Sequence, residues 1–540
     1  MAAGAFVSAA PPGRPAINAA TYERHLATLA SDEFEGRKPG SAGERKTLAY
    51  LERELRRLGL KPGHRGSFLQ TVPLVDLTAA SDTRLQLRGA GGAGAALEFA
   101  YGRDVVVWTK RVVPREGLVD SPLVFVGYGV VAPEYQWNDY AGVDMRGKTA
   151  VVLVNDPGWD RDDPQLFRGR AMTYYGRWTY KFEEAMRQGA AGALIVHEER
   201  AAAYPWETVV NSWTGPQIDM DAADGHRSRI AVEGWLSLEA ARRLFAAAGE
   251  SYEELKRRAG QRGFRPVPLP LTASVQLNNV IRRSTSANVI AWLPGRKRPG
   301  EYIVYSAHWD HLGRTLQKSG DSIFNGAVDN ATGTAALLTL AEAFRKQRPR
   351  PQRSIVFLAV TAEESGLLGS AYYVANPPFP LAQTVANINM DGLPFGGPTR
   401  DVAVVGYGAS ELEDYLAVAA RAQGRVIVPE DAPERGAFYR SDHFNFAKAG
   451  VPALFAKMGI DDRERGKEWG RSQVEEYVAQ RYHKPSDEYR KGTDLRGALE
   501  DIELLFAVGL QLANETAWPN WRPDNEFRAT RDRSRALMPK

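Results

Sequence analysis

The segment EYIVYSAHWDHLG, residues 301–313, decides the fold prediction. Its first half is apolar and β-branched, which predicts a buried strand at 302–307, and its second half carries His308, Asp310 and His311. Working outward, similar runs predict strands at 288–293, 354–361, 384–390, 402–405 and 453–456, and helices at 332–347, 367–375, 411–423 and 495–513. Strands that alternate with helices indicate a mainly parallel sheet covered by helices on both faces.

Composition and net charge exclude several classes of protein and of metal site. The chain has 540 residues, of which 44% are hydrophobic and 25% charged, and this is typical of a globular protein with several domains. The net charge of +4 is too small to indicate a nucleic-acid partner. No apolar run reaches the roughly 18–20 residues that span a bilayer, so we expect no membrane span. Because there is no cysteine, any metal must be held by His, carboxylate or carbonyl groups.

Acidic residues and histidines recur where the predicted strands end. They are His308, Asp310, Glu363, Glu364 and Asp391 directly after strands, Asp329 before the helix at 332, and His443 and His483 in later loops. Alone, each is typical of an ordinary polar loop or a helix start. Because the carboxyl ends of parallel strands meet at one edge of a sheet, their joint occurrence favours a ligand site there.

Two histidines and three carboxylates form an oxygen and nitrogen ligand set that suits Zn²⁺, Mn²⁺ or Co²⁺. Five ligands exceed the three of a usual single catalytic zinc, but they suit two metals about 3.5–4 Å apart that share one bridging carboxylate. Of the pair Glu363 and Glu364, one carboxylate would then be left as a general base.

The remaining regions carry weaker signals. The charged stretch LASDEFEGRKPG, residues 29–40, predicts a surface connection before a helix that a capping box starts at Ser41. Residues 115–270 have their own rhythm of strands and helices without a cluster of metal-ligand residues, which indicates an inserted domain. The Arg-rich tail beyond Trp518 predicts loose packing.

Six motifs occur in a recognisable order: AHWDHLG (307–313), NGAVDNATGTAALL (325–338), TAEESGLLGS (361–370), NINMDG (387–392), YRSDHF (439–444) and YHKPSDEY (482–489). Together they resemble the M28 family of zinc aminopeptidases over about residues 25–520. The resemblance implies a zinc exopeptidase fold, which is α/β with a mixed, mainly parallel central sheet, and an inserted β-rich domain like the protease-associated (PA) domain. The implied boundaries are 18–110 for the N-terminal part of the peptidase domain, 111–272 for the insert, 273–520 for the catalytic domain and 521–540 for a tail.

The resemblance also implies roles for individual residues. It implies that His308 and Asp391 bind one zinc ion, that Glu364 and His483 bind a second, and that Asp329 bridges the two. It implies that Glu363 is the general base and that Tyr482 donates a hydrogen bond to the oxyanion. Asp310 would orient a ligand imidazole, and Arg440 would contact the substrate. The resemblance further makes the Asp329–Asn330 peptide bond a candidate for the cis form. Trp309 and His311 lie outside the family's ligand pattern and receive no metal role.

The implied function is a di-zinc exopeptidase that removes the N-terminal residue of a peptide with a metal-bridged hydroxide. A carboxypeptidase or dipeptidase of the same fold is an alternative, because Arg440 or Arg435 could clamp a terminal carboxylate. A single-zinc glutaminyl cyclase and a non-catalytic binding homologue are further alternatives, although binding homologues lose ligands and all five are present here. The resemblance to exported bacterial members implies a periplasmic or secreted protein, although residues 1–20 lack the pattern of an intact signal peptide. Substrate side-chain preference, the role of the insert and the oligomeric state stay open.

Overall fold

The computed structural model describes residues 17–80, 83–89, 96–159, 161, 163, 165–315 and 320–537. The chain forms two compact units. The first contains the residues up to Val72, Ser286–Asp431 and the residues from Arg440 onward, and the second contains Pro73–Thr285 and Ala432–Tyr439. Most of the stretch considered as a signal peptide, residues 1–16, lies outside the described residues, and so do residues 538–540 of the tail.

The helices, numbered in chain order, are α1 (Ala19–Leu29), α2 (Ala42–Arg57), α3 (Trp178–Arg187), α4 (Glu199–Ala202), α5 (Trp206–Trp213), α6 (Leu238–Ala247), α7 (Tyr252–Ala259), α8 (Thr332–Lys346), α9 (Leu368–Ala375), α10 (Leu412–Ala422), α11 (His443–Lys448), α12 (Gly466–Gln480), α13 (Arg496–Asn514) and α14 (Arg528–Ala536). Short 3₁₀ turns add to them, among them Asp32–Arg37.

The strands are β1 (Lys61–Pro62), β2 (Leu69–Ala79), β3 (Arg84–Gly89), β4 (Leu97–Ala100), β5 (Val105–Trp108), β6 (Arg115–Phe125), β7 (Val131–Ala132), β8 (Trp137–Asn138), β9 (Thr149–Leu153), β10 (Gly192–Val196), β11 (Pro216–Met220), β12 (Val232–Leu236), β13 (Val267–Leu293), β14 (Arg298–His308), β15 (Gly313–Arg314), β16 (Ile323–Phe324), β17 (Arg353–Val360), β18 (Thr384–Asn389), β19 (Asp401–Val404), β20 (Val426–Pro429) and β21 (Ala453–Met458).

The sheet of the first unit is mixed and mainly parallel, as the sequence predicts. Strands β21, β18, β14 and β17 lie side by side and parallel, whereas β13 pairs with β17 in the antiparallel sense. On the other side of β21, β19 pairs with β21 in the antiparallel sense, and β20 pairs with β19 in the parallel sense. The α/β fold class is therefore confirmed.

Both faces of the central strands are buried, which explains their continuous apolar runs. In β14, Ile303 and Tyr305 belong to the core that includes α8 and α13, while Val304 points to the opposite core with residues of α9 and α11. This alternation follows from the period of two in a strand. Two layers of helices thus hold the central sheet, and its carboxyl edge stays accessible for side chains from loops.

The second unit has a sheet of its own. Its parallel strands run in the order β6, β9, β10 and β12, and β5 joins β12 antiparallel. The unit is wider than the predicted insert at 111–272, because β3 pairs with the first part of β13 and β4 pairs with β3. A relation of this unit to the PA domain stays a prediction.

The C-terminal segment is packed, contrary to the expectation from its composition. The Trp521 side chain is fully buried and its indole N–H donates to the carbonyl of Gly450 over 3.0 Å. Arg531 of α14 is 2% exposed and donates to the carbonyl of Thr384 over 2.8 Å. Composition misled the prediction because a guanidinium group can be buried when main-chain carbonyls accept its N–H groups.

Among the helices of the described chain, none has both the length and the apolar character needed to cross a bilayer. The exported location stays a prediction.

Candidate metal centre

The predicted ligands converge at the carboxyl edge of the central sheet. His308 is the last residue of β14, Glu363 and Glu364 follow β17, and Asp391 follows β18. The Nε2 atom of His308 lies 3.2 Å from Oδ1 of Asp329 and 3.2 Å from Oδ1 of Asp391. The strand-end argument therefore places these side chains together as expected.

A second imidazole approaches Asp329 from the other side. The Nε2 atom of His483 lies 3.2 Å from Oδ2 of Asp329 and 3.2 Å from Oε2 of Glu364. The Asp329 carboxylate thus lies between two histidines and directs one oxygen to each. Burial by itself would raise the pKa of Asp329, but the contacts with both imidazoles lower it well below its usual range.

This arrangement fits divalent cations. His483 Nε2 is buried and makes no hydrogen bond with any described group, although two carboxylate oxygens lie 3.2 Å away. The ligand atoms of His308, Asp329 and Asp391 all lie within 4.8 Å of one another, as do those of His311, Asp329 and Glu364. Buried carboxylates and imidazoles that crowd in this way need a cation to balance their charge and are the usual ligands of zinc.

The backbone around Asp329 is fixed by two side chains. Asp487 accepts hydrogen bonds from the main-chain N–H groups of Val328 and Asp329 at 3.1–3.2 Å. The Asn330 amide donates to the carbonyl of Met390 over 2.9 Å and accepts from the N–H of Gly333. The Asp329–Asn330 peptide bond is cis, as the resemblance implies. Asp487 was not predicted as a site residue, and only its place in the YHKPSDEY motif could have indicated it.

Asp391 is oriented by a chain of polar side chains. Its Oδ2 atom accepts from the Ser441 hydroxyl, which in turn accepts from the Asn389 amide over 2.7 Å. The Asn389 oxygen accepts from the Ser306 hydroxyl over 2.7 Å. Because these groups are buried, each hydrogen bond limits the freedom of the next and holds the Asp391 carboxylate in place.

The Asp310 side chain lies between the His308 imidazole and the Glu363 loop. Its Oδ1 atom accepts from the main-chain N–H of Glu363 over 3.1 Å, whereas it lies 3.8 Å from Nδ1 of His308. The nearer acceptor for that nitrogen is the main-chain carbonyl of Asp310, at 3.2 Å. The residue therefore orients the imidazole through its backbone and the Glu363 loop through its side chain. Burial raises the pKa of Asp310 to about 7.

Glu363 lies beside the ligand cluster, and one of its carboxylate oxygens lies within 4.8 Å of a ligand atom of His308 and of Glu364. Burial raises the pKa of its carboxyl well above the usual range, and the neighbouring carboxylates of Asp391 and Glu364 raise it further, while His308 opposes them. A carboxyl group in such surroundings holds a proton more readily than a carboxylate in water.

Tyr482 and Arg440 lie at the rim of the cluster. The Tyr482 ring stacks on the ring of its neighbour His483 with 3.9 Å between centroids, and its side chain is partly exposed. Arg440 is exposed and directly precedes Ser441, whose hydroxyl donates to Asp391.

His311 takes part in the site, although no metal role was predicted for it. Its Nδ1 atom donates to Oε1 of Glu364 over 2.6 Å, and the other oxygen of that carboxylate faces His483. A Cβ atom at Gly326 would lie 2.5 Å from the His311 ring, so a larger residue there would displace the imidazole. Trp309 has a packing role, since its indole N–H donates to the carbonyl of Ala287.

Arg37 supports the site from the N-terminal segment. The side chain is 1% exposed and donates to four main-chain carbonyls, those of Leu29, Trp309, Asn325 and Gly326. Two of these acceptors lie in the loop before Asp329 and one lies in the loop after His308. The interpretation of residues 29–40 as a surface connection is therefore wrong, because the loop carbonyls need a buried donor that a charged side chain supplies.

Comparison with known proteins gives a consistent result. Residues 288–506 match the model of peptidase family M28. Aminopeptidase NAALADL1 of Mus musculus is 34% identical over 145 residues, which is 25% of this chain and 18% of that protein. A probable zinc metalloprotease of Pyricularia oryzae is 37% identical over 110 residues, which is 20% of each chain. The match thus spans about a fifth of the length of these curated relatives.

Among solved structures, the chain is similar to an aminopeptidase from Aneurinibacillus sp. strain AM-1, with a TM-score of 0.49 and 19% identity over 93% of this chain and 95% of that one. It is also similar to BSAP, a zinc aminopeptidase from Bacillus subtilis, with a TM-score of 0.43 and 17% identity over 94% of this chain and 97% of that one.

Proposed function

Because residues 288–506 match the model of peptidase family M28, we propose that this protein is a zinc-dependent aminopeptidase with two metal ions in one site. The observation that carries the proposal is the position of the Asp329 carboxylate between the imidazoles of His308 and His483, each of which has a further carboxylate 3.2 Å away. A shared carboxylate with a complete ligand pair on each side is the donor set of a two-metal hydrolase.

In this proposal His308 and Asp391 hold one zinc ion, Glu364 and His483 hold the other, and Asp329 is common to both. Zinc bound there supplies a Lewis acid and lowers the pKa of water from ~15.7 towards about 7. Asp487 and Ser441 keep the carboxylates of Asp329 and Asp391 in position, and His311 does the same for Glu364. Arg37 and Asp310 hold the loops that carry these residues.

Glu363 acts as the general base. Its buried carboxyl takes a proton from the attacking water and returns it to the leaving amine. The Tyr482 hydroxyl donates a hydrogen bond to the oxyanion that develops on the scissile carbonyl. The carboxylates at the site would also attract the free α-amine of a peptide, and Arg440 at the rim would contact the substrate.

The test compares two neighbouring carboxylates. We expect Glu363→Gln to keep two zinc ions per chain and to lose at least about 100-fold in kcat on aminoacyl anilides, since general bases contribute ~10²–10⁴-fold. Glu364→Gln should instead lose zinc, because it removes a ligand. Metal analysis and turnover are measured on the same preparations. Near wild-type turnover of Glu363→Gln would show that the base is another group.

A carboxypeptidase or dipeptidase with the same metal centre is the second candidate, because the exposed Arg440 next to Ser441 could bind a terminal carboxylate. The two activities are separated with three peptides of one sequence: free, N-acetylated and C-amidated. An aminopeptidase hydrolyses the free and the amidated peptide but not the acetylated one. Hydrolysis of the acetylated peptide together with resistance of the amidated one would favour the carboxypeptidase.

A further inference from the structure

A basic cleft lies at the opposite edge of the central sheet from the metal centre. It has a volume of 560 Å³, and the cations that line it are Lys61, Arg296, Arg345, Arg348 and Arg350. Lys61 lies in β1, which pairs with the end of β13, and Arg345 lies in the last turn of α8. Arg296 precedes β14, and Arg348 and Arg350 precede β17, whereas His308, Glu364 and Asp391 lie at the carboxyl ends of β14, β17 and β18. The paired stretch of β14 from Tyr302 to His308 separates the two, and at ~3.3 Å per residue it spans about 20 Å.

Within the part of the chain that the structure describes, these five cations have no acidic partner. None of them has a carboxylate within 4.0 Å among the described residues. Acidic groups do occur close by, but they pair with other cations: Glu301 contacts Arg298 and Arg353. The protein therefore neutralises the structural arginines of this region and leaves the cleft positively charged, which is an unfavourable concentration of like charge unless an anion enters.

Three of the guanidinium groups are held in position by main-chain carbonyls. Arg345 donates through Nε to the carbonyl of Leu58 over 3.1 Å, and Arg296 donates through Nε to the carbonyl of Arg350 over 3.0 Å. Arg348 donates through Nη1 to the carbonyls of Arg345 and Gln347 at 2.9 and 2.8 Å. The other nitrogens of these groups make no hydrogen bond within the described chain, so each head is oriented and keeps free donors.

We propose that this cleft binds a small polyanion that carries several phosphate or sulfate groups. Guanidinium forks match tetrahedral oxyanions with two parallel hydrogen bonds, and five cations need more than one anionic group. The volume lies in the range of about 300–1,000 Å³ that is typical of small-molecule sites. The distance from the metal centre makes the cleft a separate site, and its existence does not depend on the proposed peptidase activity.

The test uses inositol hexasulfate as the probe, because sulfate esters bind zinc weakly and leave the metal centre intact. Binding to the metal-loaded protein is measured by calorimetry at 0.15 M ionic strength. We expect saturable binding at one site per chain and at least a tenfold increase in Kd in the double variant Arg348→Gln/Arg350→Gln. The Lys61 side chain is exposed, so Lys61→Gln should fold normally. This variant should raise Kd several-fold, and it keeps the test valid if the double variant folds poorly.

The matched control is Arg282→Gln/Arg421→Gln, which removes two exposed arginines that line no part of the cleft. An unchanged Kd in this control supports the proposal, whereas equal weakening in both double variants would reduce the binding to general charge attraction and overturn it. Absence of binding would also overturn it.

A further arm distinguishes soluble ligands from a membrane. Vesicles of phosphatidylcholine with 30% phosphatidylglycerol are tested by co-sedimentation. Binding to these vesicles without binding to the hexasulfate would replace the proposal with a membrane contact. Sodium sulfate is tested as a ligand with a single anionic group. If it binds as tightly as the hexasulfate, one anionic group suffices, and the proposal of a polyanion ligand is contradicted.

Discussion

His311 offers a direct test of how the site is organised. Its Nδ1 atom donates to Oε1 of Glu364 over 2.6 Å, and its ring is buried next to Gly326. His311→Leu removes the donor, whereas His311→Asn keeps an N–H group close to the position of Nδ1. The two variants therefore differ in one hydrogen bond, and both remain similar in size to the original side chain.

The expected magnitude follows from the role of the bond. Hydrogen bonds that orient a metal ligand are worth about 10–100-fold in metal affinity, or ~1.4–2.8 kcal/mol at 1.4 kcal/mol per factor of ten. His311 contacts Glu364 but makes no contact with Asp391. We therefore expect His311→Leu to weaken the binding of only the zinc ion that Glu364 and His483 hold. The affinity for the other zinc ion should stay within about twofold of the wild-type value.

The assay is competition for zinc with a chromophoric chelator at pH 7, which resolves two affinities per chain. His64→Leu serves as the control, because His64 lies in the turn between β1 and β2, away from the cluster. His311→Asn should recover most of the lost affinity. The reasoning fails if His311→Leu binds both zinc ions as tightly as the wild type, or if His311→Asn is as weak as His311→Leu.

Three further predictions concern the support of the site and the core. Arg37→Lys keeps the charge but loses most of four carbonyl contacts, so we expect the free energy of unfolding in urea to fall by about 2–4 kcal/mol; an unchanged value would remove Arg37 as a support. Asp487→Asn should lower kcat about 10–100-fold with zinc content retained, because the amide accepts more weakly from the N–H groups that hold the Asp329 turn, and activity equal to wild type would contradict this. His25 is buried, and mainly for that reason its pKa falls from 6.5 to about 4. Between these values the unfolded chain binds a proton that the folded chain does not, so stability should fall by about 1.5 kcal/mol as the pH drops from 6.5 to 5. The variant His25→Gln should remove this part of the slope in urea titrations at both pH values.

The sequence predicts the central strands well because their signal is local. The strand predicted at 302–307 corresponds to β14, Arg298–His308, and the strand predicted at 354–361 corresponds to β17, Arg353–Val360. Buried β-branched runs between turn residues leave little choice of structure. The convergence of His308, Glu364 and Asp391 follows from these strands, because topology brings their carboxyl ends to one edge. Asp329 precedes α8 and His483 follows α12, so their approach depends on the folding of loops.

The supporting residues could not be predicted in the same way. Arg37, Asp487 and His311 act through contacts with residues far away in the chain, and locally each is a charged or polar loop residue. Arg37 in particular belongs to a stretch rich in charge, which is typical of a surface. Only the fold reveals that the carbonyls of Asn325 and Gly326, close to Asp329, face one buried guanidinium, so the need for Arg37 is a tertiary property. The packed tail with Arg531 differs from its prediction for the same reason.

The position of Arg37 has a consequence for how the catalytic region can be isolated. The family-matched span begins at residue 288, yet the guanidinium that satisfies the carbonyl of Trp309 comes from 272 residues earlier in the chain. A fragment trimmed to residues 288–506 would retain all five predicted ligands and lack this support. The segment that matches the family model is therefore shorter than the segment that we expect to fold by itself. A recombinant fragment should include the N-terminal helices. Natural variation at residue 37 should be accompanied by compensating changes around residues 309 and 325.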